Sequence, residues 1–212
     1  MSRNLFPSYN DWVASFNSGN SSFVPLAKSK ALGSEEKLIV CHTDSDFLNK
    51  LSQSEKDTNT NPTEAQKKEG TYAKGRFQHQ GITFIIENPK GTYRKGVDSD
   101  GTPWQTLMNN TYGYFGEAKG VDKDKLDFFI GPYPISGYIF VIAQNNSKGE
   151  FDEHKVMYGF KSFEEAKQAY LSNYSKDWKG FRLIRLVDFP FFKDEFMKHS
   201  SNKAWLNKHN FI

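Results

Sequence analysis

From about Thr71 onward, apolar residues come in short runs separated by glycine-containing turns: Gly81 to Glu87, Thr102 to Met108, Leu126 to Ile130, Gly137 to Ala143 and His154 to Phe160. Runs of this length bounded by turn residues predict strands, and their close succession predicts a compact, mostly antiparallel sheet. The pattern changes at Ser162-Phe-Glu-Glu165, which has the form of a capping box in which Ser162 and Glu165 satisfy each other's backbone donors. Ala166, Ala169 and Tyr170 then fall on one face of a helix. A last strand is expected over Phe181 to Val187, followed by a helical tail.

The first part of the chain reads differently. Leu51 to Pro62 holds a single apolar residue among residues that favour turns or solvation, which predicts a linker. Before it, Tyr9 to Phe16 suits a short amphipathic helix and Leu38 to Cys41 a short buried strand. Neither buries enough surface to fold alone. The expected organisation is an N-terminal arm and linker, partly helical, over residues 1–62, and a main domain over 63–212. The arm would lean on the main domain, on a protein partner or on a second copy of the chain. No repeat of solenoid or propeller period is present.

Composition narrows the class. A chain of 212 residues fits one domain with an appendage, and its 16% aromatic content suits a strand-rich core. A formal charge of +3 lacks the positive excess that duplex DNA phosphates favour, while small anionic ligands remain open. Cys41 is the single cysteine, which excludes an intrachain disulfide and a cysteine zinc cluster and points to a reducing compartment. The first residues show no signal-peptide pattern, and the longest strongly apolar run, Tyr138 to Ala143, is too short to span a bilayer. The expectation is a soluble cytoplasmic protein without a membrane partner.

Chemistry concentrates in Tyr112-Gly-Tyr-Phe-Gly-Glu-Ala-Lys-Gly-Val-Asp122-Lys-Asp124-Lys-Leu-Asp127. Asp122 and Asp124 share strand parity and Asp127 does not, so only a turn around Lys123 to Leu126 lets the three carboxylates converge. Converging carboxylates need protonation or a cation, and oxygen-only donors select Mg²⁺, Mn²⁺ or Ca²⁺. A solvated acidic loop is the plain alternative. An EF-hand loop is excluded, because its sixth position requires glycine and Asp127 stands there. An OB-type nucleic-acid module using Trp104 and Tyr93 beside basic residues is opposed by the acidic cluster.

Tyr112-Gly113-Tyr114 followed by Asp122-x-Asp124-x-Leu126-Asp127 resembles the signature region of the soluble family I inorganic pyrophosphatases. Ile86-Glu87-Asn88-Pro89, Glu153-x-Lys155, and Asn173-Tyr174 with Lys176 extend the resemblance over roughly Ile82 to Leu186. Within the family, Glu87 to Gly91 and His154 to Met157 look most like the divergent domains carried by phages and other mobile elements, which also implies a host-cytoplasmic or virion-associated setting. The resemblance implies an α+β fold, an OB-like antiparallel β-barrel with flanking helices. It also implies Mg²⁺-dependent, or Mn²⁺-dependent, hydrolysis of pyrophosphate.

Residue by residue, the resemblance assigns Asp122, Asp127 and Glu87 to metal binding, with Glu153 and then Asp152 as further ligands. It assigns Asp124 to taking the proton of the attacking water. Lys155 and Tyr112 would act on the reacting phosphate, and Arg94, Lys90, Tyr174 and Lys176 would bind the substrate. Strand parity independently puts Glu153 and Lys155 on one face and turns Asp152 and His154 away. Solvent-facing charges on a strand edge or hairpin, and core packing of the tyrosines, explain the same residues without function. The chain also departs from the family: Lys123 and Lys125 flank the second aspartate, a second metal-binding Glu is missing near Arg94, and no arginine occurs from Lys95 to Tyr112. A pyrophosphatase-fold structural or binding protein with impaired catalysis is the alternative these departures motivate.

Overall fold

In a computed structural model of the chain, the described residues are 22–24, 41–43, 45–97, 100–119, 125–136 and 138–201. The apolar runs form strands β4 (Ile82–Asn88), β6 (Pro103–Leu107), β8 (Lys125–Ile130), β10 (Tyr138–Asn145), β11 (Phe151–Tyr158) and β12 (Phe181–Asp188). Added to these are β1 (Ser22–Val24), β2 (Cys41–Thr43), β3 (Arg76–His79), β5 (Tyr93–Val97), β7 (Thr111–Lys119) and β9 (Ile135–Ser136). The main sheet has seven strands in the order β12-β10-β11-β8-β7-β4-β3. Its pairings are antiparallel except β11 with β8, which run parallel. Among the described residues a β5–β6 ribbon pairs only with itself, and β1, β2 and β9 form a small third sheet.

Alternation along the strands divides the core between the two faces of the main sheet. Phe84, Phe115, Phe128, Val141 and Tyr158 pack on one side with Phe47, Phe192 and Phe196. Their neighbours Phe129, Phe140, Ile142 and Met157 pack on the other side with Ala166 and Tyr170. These last two belong to α3 (Phe163–Ser172), so α3 covers the second face. The first face is covered by α1 (Ser45–Asp57) and by the tail, which runs as α4 (Phe189–Phe191), a π-helical turn (Phe192–Phe196) and α5 (Met197–His199). The fold is mixed α+β, with one large, mostly antiparallel sheet and few helices.

The expected barrel does not close among the described residues: the pairing order ends on β12 and β3. A sheet with helices on both faces buries its apolar side chains without curling onto itself. The expected linker is also corrected in part, because Leu51 to Asp57 belongs to α1. That helix has little apolar content because it docks through a narrow stripe of Phe47, Leu51 and Ser54, extended by Thr58 just beyond its end, at helical spacing. Its backbone lies directly on Gly75, where a Cβ would stand 1.8 Å from the Ser54 carbonyl oxygen.

The capping box at α3 is half formed. Ser162 accepts from the Glu165 N–H, but the Glu165 carboxylate accepts from the Lys161 N–H. A complete box occurs instead at α2 (Glu64–Glu69), between Thr63 and Gln66. Tyr9 to Phe16 and Leu38 to Val40 lie outside the described residues, and Cys41 opens β2.

Candidate functional site

Five strands and one helix end bring the polar residues together. On β8, Asp127 lies opposite Lys155 of β11 and Tyr114 of β7, while Tyr112 lies opposite Phe129. Parity sends Asp127 to the same face as Phe129 and Lys155 to the same face as Met157, which is the face that α3 covers. The Lys155 ammonium is therefore buried, yet it donates to the Asp127 carboxylate at 2.5 Å and to the Glu153 carboxylate at 2.8 Å. Tyr112, also buried, donates its phenol to the same Asp127 oxygen, Oδ2.

Arg94 reaches this group from the β5–β6 ribbon, with its guanidinium 4.6 Å from the centre of the Tyr112 ring and 5.8 Å from that of Trp104. A cation over two aromatic faces is positioned by its attraction to the rings. On the far side, Gln144 of β10 donates to Glu153 at 2.8 Å and accepts from Tyr170 and Tyr174 at 2.8 and 2.9 Å. The Trp178 indole donates to the Tyr170 phenol in turn. A continuous polar chain thus runs from Trp178 through Tyr170, Gln144, Glu153 and Lys155 to Asp127 and Tyr112.

Electrostatics follow from burial. Desolvation opposes the Lys155 charge, but Asp127, then Tyr112, Tyr174 and Glu153, outweigh it and hold the ammonium well above its ordinary pKa. Burial raises the Glu153 carboxyl, with Lys155 pulling it back. Burial, and then Asp127, push the Tyr112 phenol well above its usual range, and burial raises Tyr174. Both tyrosines are therefore neutral hydrogen-bond donors at neutral pH.

The other candidates stand at different distances from this centre. Glu87 is the extra residue where the β4–β7 register shifts between Ile86 and Asn88, and such bulges re-aim a side chain. It pairs with Lys74 at 2.6 Å and borders a cavity of about 360 Å³ together with Arg94. Asp152 is exposed, with the Gln144 amide 3.5 Å away. Lys90 and Lys176 are exposed, and neither side chain is drawn into the group. Asp122 and Asp124 lie outside the described residues. Among the described residues no three His, Cys, Asp or Glu side chains stand close enough together to hold a metal ion.

Sequence reasoning missed Gln144 and Lys74. The signal for Gln144 was present: it is the polar residue that ends the apolar run of β10, on the parity of Phe140 and Ile142. Nothing local marks Lys74, because its partner is brought in by the β4 bulge. His154, which parity turns away from Glu153 and Lys155, is packed: its Nδ1 lies 3.0 Å from the Ser200 carbonyl and its ring sits against Phe151 and Phe196.

A buried lysine and an aromatic-backed arginine thus stand beside carboxylates and neutral phenols. The family model described as Inorganic Pyrophosphatase matches residues 64–197, more than half of the chain. The chain belongs to the inorganic pyrophosphatase family. No curated relative matches it. The matched span covers α2 through the π-helical turn and includes every candidate residue named above. No helix among the described residues is long and apolar enough to cross a membrane.

Proposed function

We propose that the chain hydrolyses inorganic pyrophosphate to two phosphates in a reaction that depends on Mg²⁺ or Mn²⁺. The observation that carries this reading is the buried Lys155 held between Asp127 and Glu153, with Arg94 and Tyr112 on the same side. Asp127 and Glu153, the carboxylates gathered at Lys155, offer only oxygen donors, which suits a hard divalent cation, and Glu87, Asp152 and Asp122 would be its further ligands. When bound, such a cation would neutralise phosphoryl oxygens and make a nearby water more acidic.

The chain's own groups do the rest. Lys155 and Arg94 draw in and orient the phosphoryl groups, which is most of what phosphoryl transfer asks of a protein. Tyr112 and Tyr174 donate to phosphate oxygens, and their raised pKa values keep the donor protons in place. Asp124 accepts the proton of the attacking water. Lys90 and Lys176, being exposed, are assigned to attraction of the anion at the mouth. The division at residue 62 belongs to the same proposal, with α1 as the helical part of the arm that packs on the main domain. So does the OB-like description of the sheet, which would require a closing pairing supplied outside the described residues.

The test is phosphate release from pyrophosphate with and without Mg²⁺. Asp124→Asn keeps shape and most hydrogen-bonding geometry but removes the base, so turnover is expected to fall about 10²- to 10⁴-fold. Metal affinity should change less than in Asp127→Asn, which removes a ligand charge. Wild-type turnover of Asp124→Asn at saturating Mg²⁺ would show that the base is misassigned. Absence of metal-dependent turnover at micromolar wild-type protein would overturn the whole reading.

A further inference from the structure

The cavity beside Arg94 is lined by none of Lys155, Asp127 and Tyr112, so it offers space beyond the group that would hold pyrophosphate. At about 360 Å³ it lies within the range of about 300–1,000 Å³ that small-molecule ligands occupy. Its outer wall is a built feature. The chain leaves the core at Thr58 and returns at Gly75, pinned at the neck by Asn59 N–H to the Ala73 carbonyl (2.9 Å) and Gly75 N–H to the Thr58 hydroxyl (3.0 Å). Between these points α2 is capped at both ends yet buries no residue. An excursion that adds nothing to the core but is held rigid serves what it faces, and Asn61 and the start of α2 face Glu87 and Arg94 across the cavity.

The lining names the ligand class. Tyr93, 49% exposed, leaves a large ring in solvent at the cavity, and Tyr72 adds a second ring on its wall. Asn61 and Asn88 line it as well, residues whose amides can donate and accept along the edge of a heterocycle. Arg94 and Lys95 supply positive charge at the same cavity, and Arg94 continues to Tyr112 and Asp127. The geometry points to a nucleoside subsite, so that the chain takes nucleoside diphosphates or triphosphates with the base in the cavity and the phosphates toward Lys155. This rests on the phosphohydrolase reading above. The reaction is of the same kind: for a diphosphate, the water oxygen bonds to the terminal phosphorus and the bridging P–O bond breaks. Its electron pair stays on the nucleoside monophosphate, phosphate departs, and Asp124 takes the proton.

The experiment titrates the full chain, with Mg²⁺ present, against pyrophosphate and against ADP, GDP, CDP and UDP by calorimetry. Stacking and edge contacts predict that at least one diphosphate binds tenfold or more tightly than pyrophosphate, a conservative value for one stacked base. The ratio of the two dissociation constants should collapse toward one in Tyr93→Ala and fall at least about threefold in Asn61→Ala, two surface changes that leave the core intact. No diphosphate binding more tightly than pyrophosphate would overturn the subsite. So would a selectivity ratio unchanged in both variants. Pyrophosphate turnover is measured separately. Turnover without nucleotide preference removes the subsite and leaves the phosphohydrolase, whereas nucleotide preference without turnover of either substrate supports the subsite and removes the phosphohydrolase.

Discussion

Replacing Lys155 with Met tests the centre of the site directly, because it keeps the length and apolar stem of the side chain and removes only the ammonium. In the wild type the Lys155 side chain is 3% exposed and its ammonium lies 2.5 Å from Asp127 and 2.8 Å from Glu153, whose side chains are 15% and 20% exposed. Removing one partner of a buried ion pair leaves uncompensated charge and costs about 3–5 kcal/mol. For a chain of this size that lowers Tm by about 6–20 °C. The deficit depends on pH in a fixed direction. Without the ammonium, the Glu153 pKa, already raised by burial, rises further above its unfolded value. The native variant then binds protons at mildly acidic pH that the wild type does not, so its deficit is full above the raised pKa and shrinks as pH falls toward the ordinary carboxylate range. A divalent cation restores positive charge beside the same carboxylates, so Mg²⁺ should raise the Tm of the variant more than that of the wild type. Urea and thermal unfolding at pH 7 and pH 5 read all three effects. A cost below about 1 kcal/mol at pH 7, or a deficit that does not shrink on acidification, would refute the reasoning.

The remaining expectations are more local. Phe47→Ala opens a cavity between Phe77, Phe84 and Tyr158 and should cost about 3–5 kcal/mol in urea unfolding, whereas a cost near zero would mean that α1 does not belong to the folded unit. Gly113→Ala would place a Cβ 2.0 Å from the Ile85 carbonyl oxygen, forcing β4 from β7 beneath Tyr112, and should lower both stability and pyrophosphate turnover. Gln144→Leu strips hydrogen-bonding partners from Glu153, Tyr170 and Tyr174 at once and should cost about 1–3 kcal/mol, read by the same unfolding assay.

The sequence made the sheet legible because strand runs and turns are local patterns: β4, β8, β10, β11 and β12 fall within a few residues of their expected positions. The Glu153–Lys155 pair was legible for the same reason, since parity alone puts both on one face. What escaped depends on partners distant along the chain. Leu51 to Asp57 looks polar because α1 needs only one narrow stripe to dock, and no pattern within it reveals that Gly75 offers a surface without a Cβ. The Gln144 bonds to Tyr170 and Tyr174 exist only after β10 and α3 have packed together. Whether the sheet closes was hidden as well, because strand patterns do not say whether helices will cover both faces.

The charge count of the site carries one further expectation. Among the described residues the buried group holds two carboxylates, Asp127 and Glu153, against two cations, Lys155 and Arg94, and so sums to zero. Lys125, one of the two lysines flanking Asp124, does not change that sum: it is exposed, with its ammonium turned toward the Gly116 carbonyl and the Tyr114 ring. A neutral centre of low dielectric accepts neither a multiply charged phosphate nor a divalent cation well on its own, because either leaves a net charge poorly solvated. Together they offset each other. Metal and anion should therefore bind with positive coupling, and the coupling must be reciprocal: the factor by which phosphate raises Mg²⁺ affinity equals the factor by which Mg²⁺ raises phosphate affinity. A coupling of about 1–3 kcal/mol corresponds to roughly 5- to 150-fold in either titration. Inorganic phosphate is the suitable anion, since it is a product and is not consumed, and Mg²⁺ titrations at zero and saturating phosphate measure the factor. Arg94→Met removes one of the two cations and should weaken phosphate in both arms while enlarging its dependence on Mg²⁺. Mg²⁺ affinity that does not respond to phosphate would show that the two ligands do not share this centre.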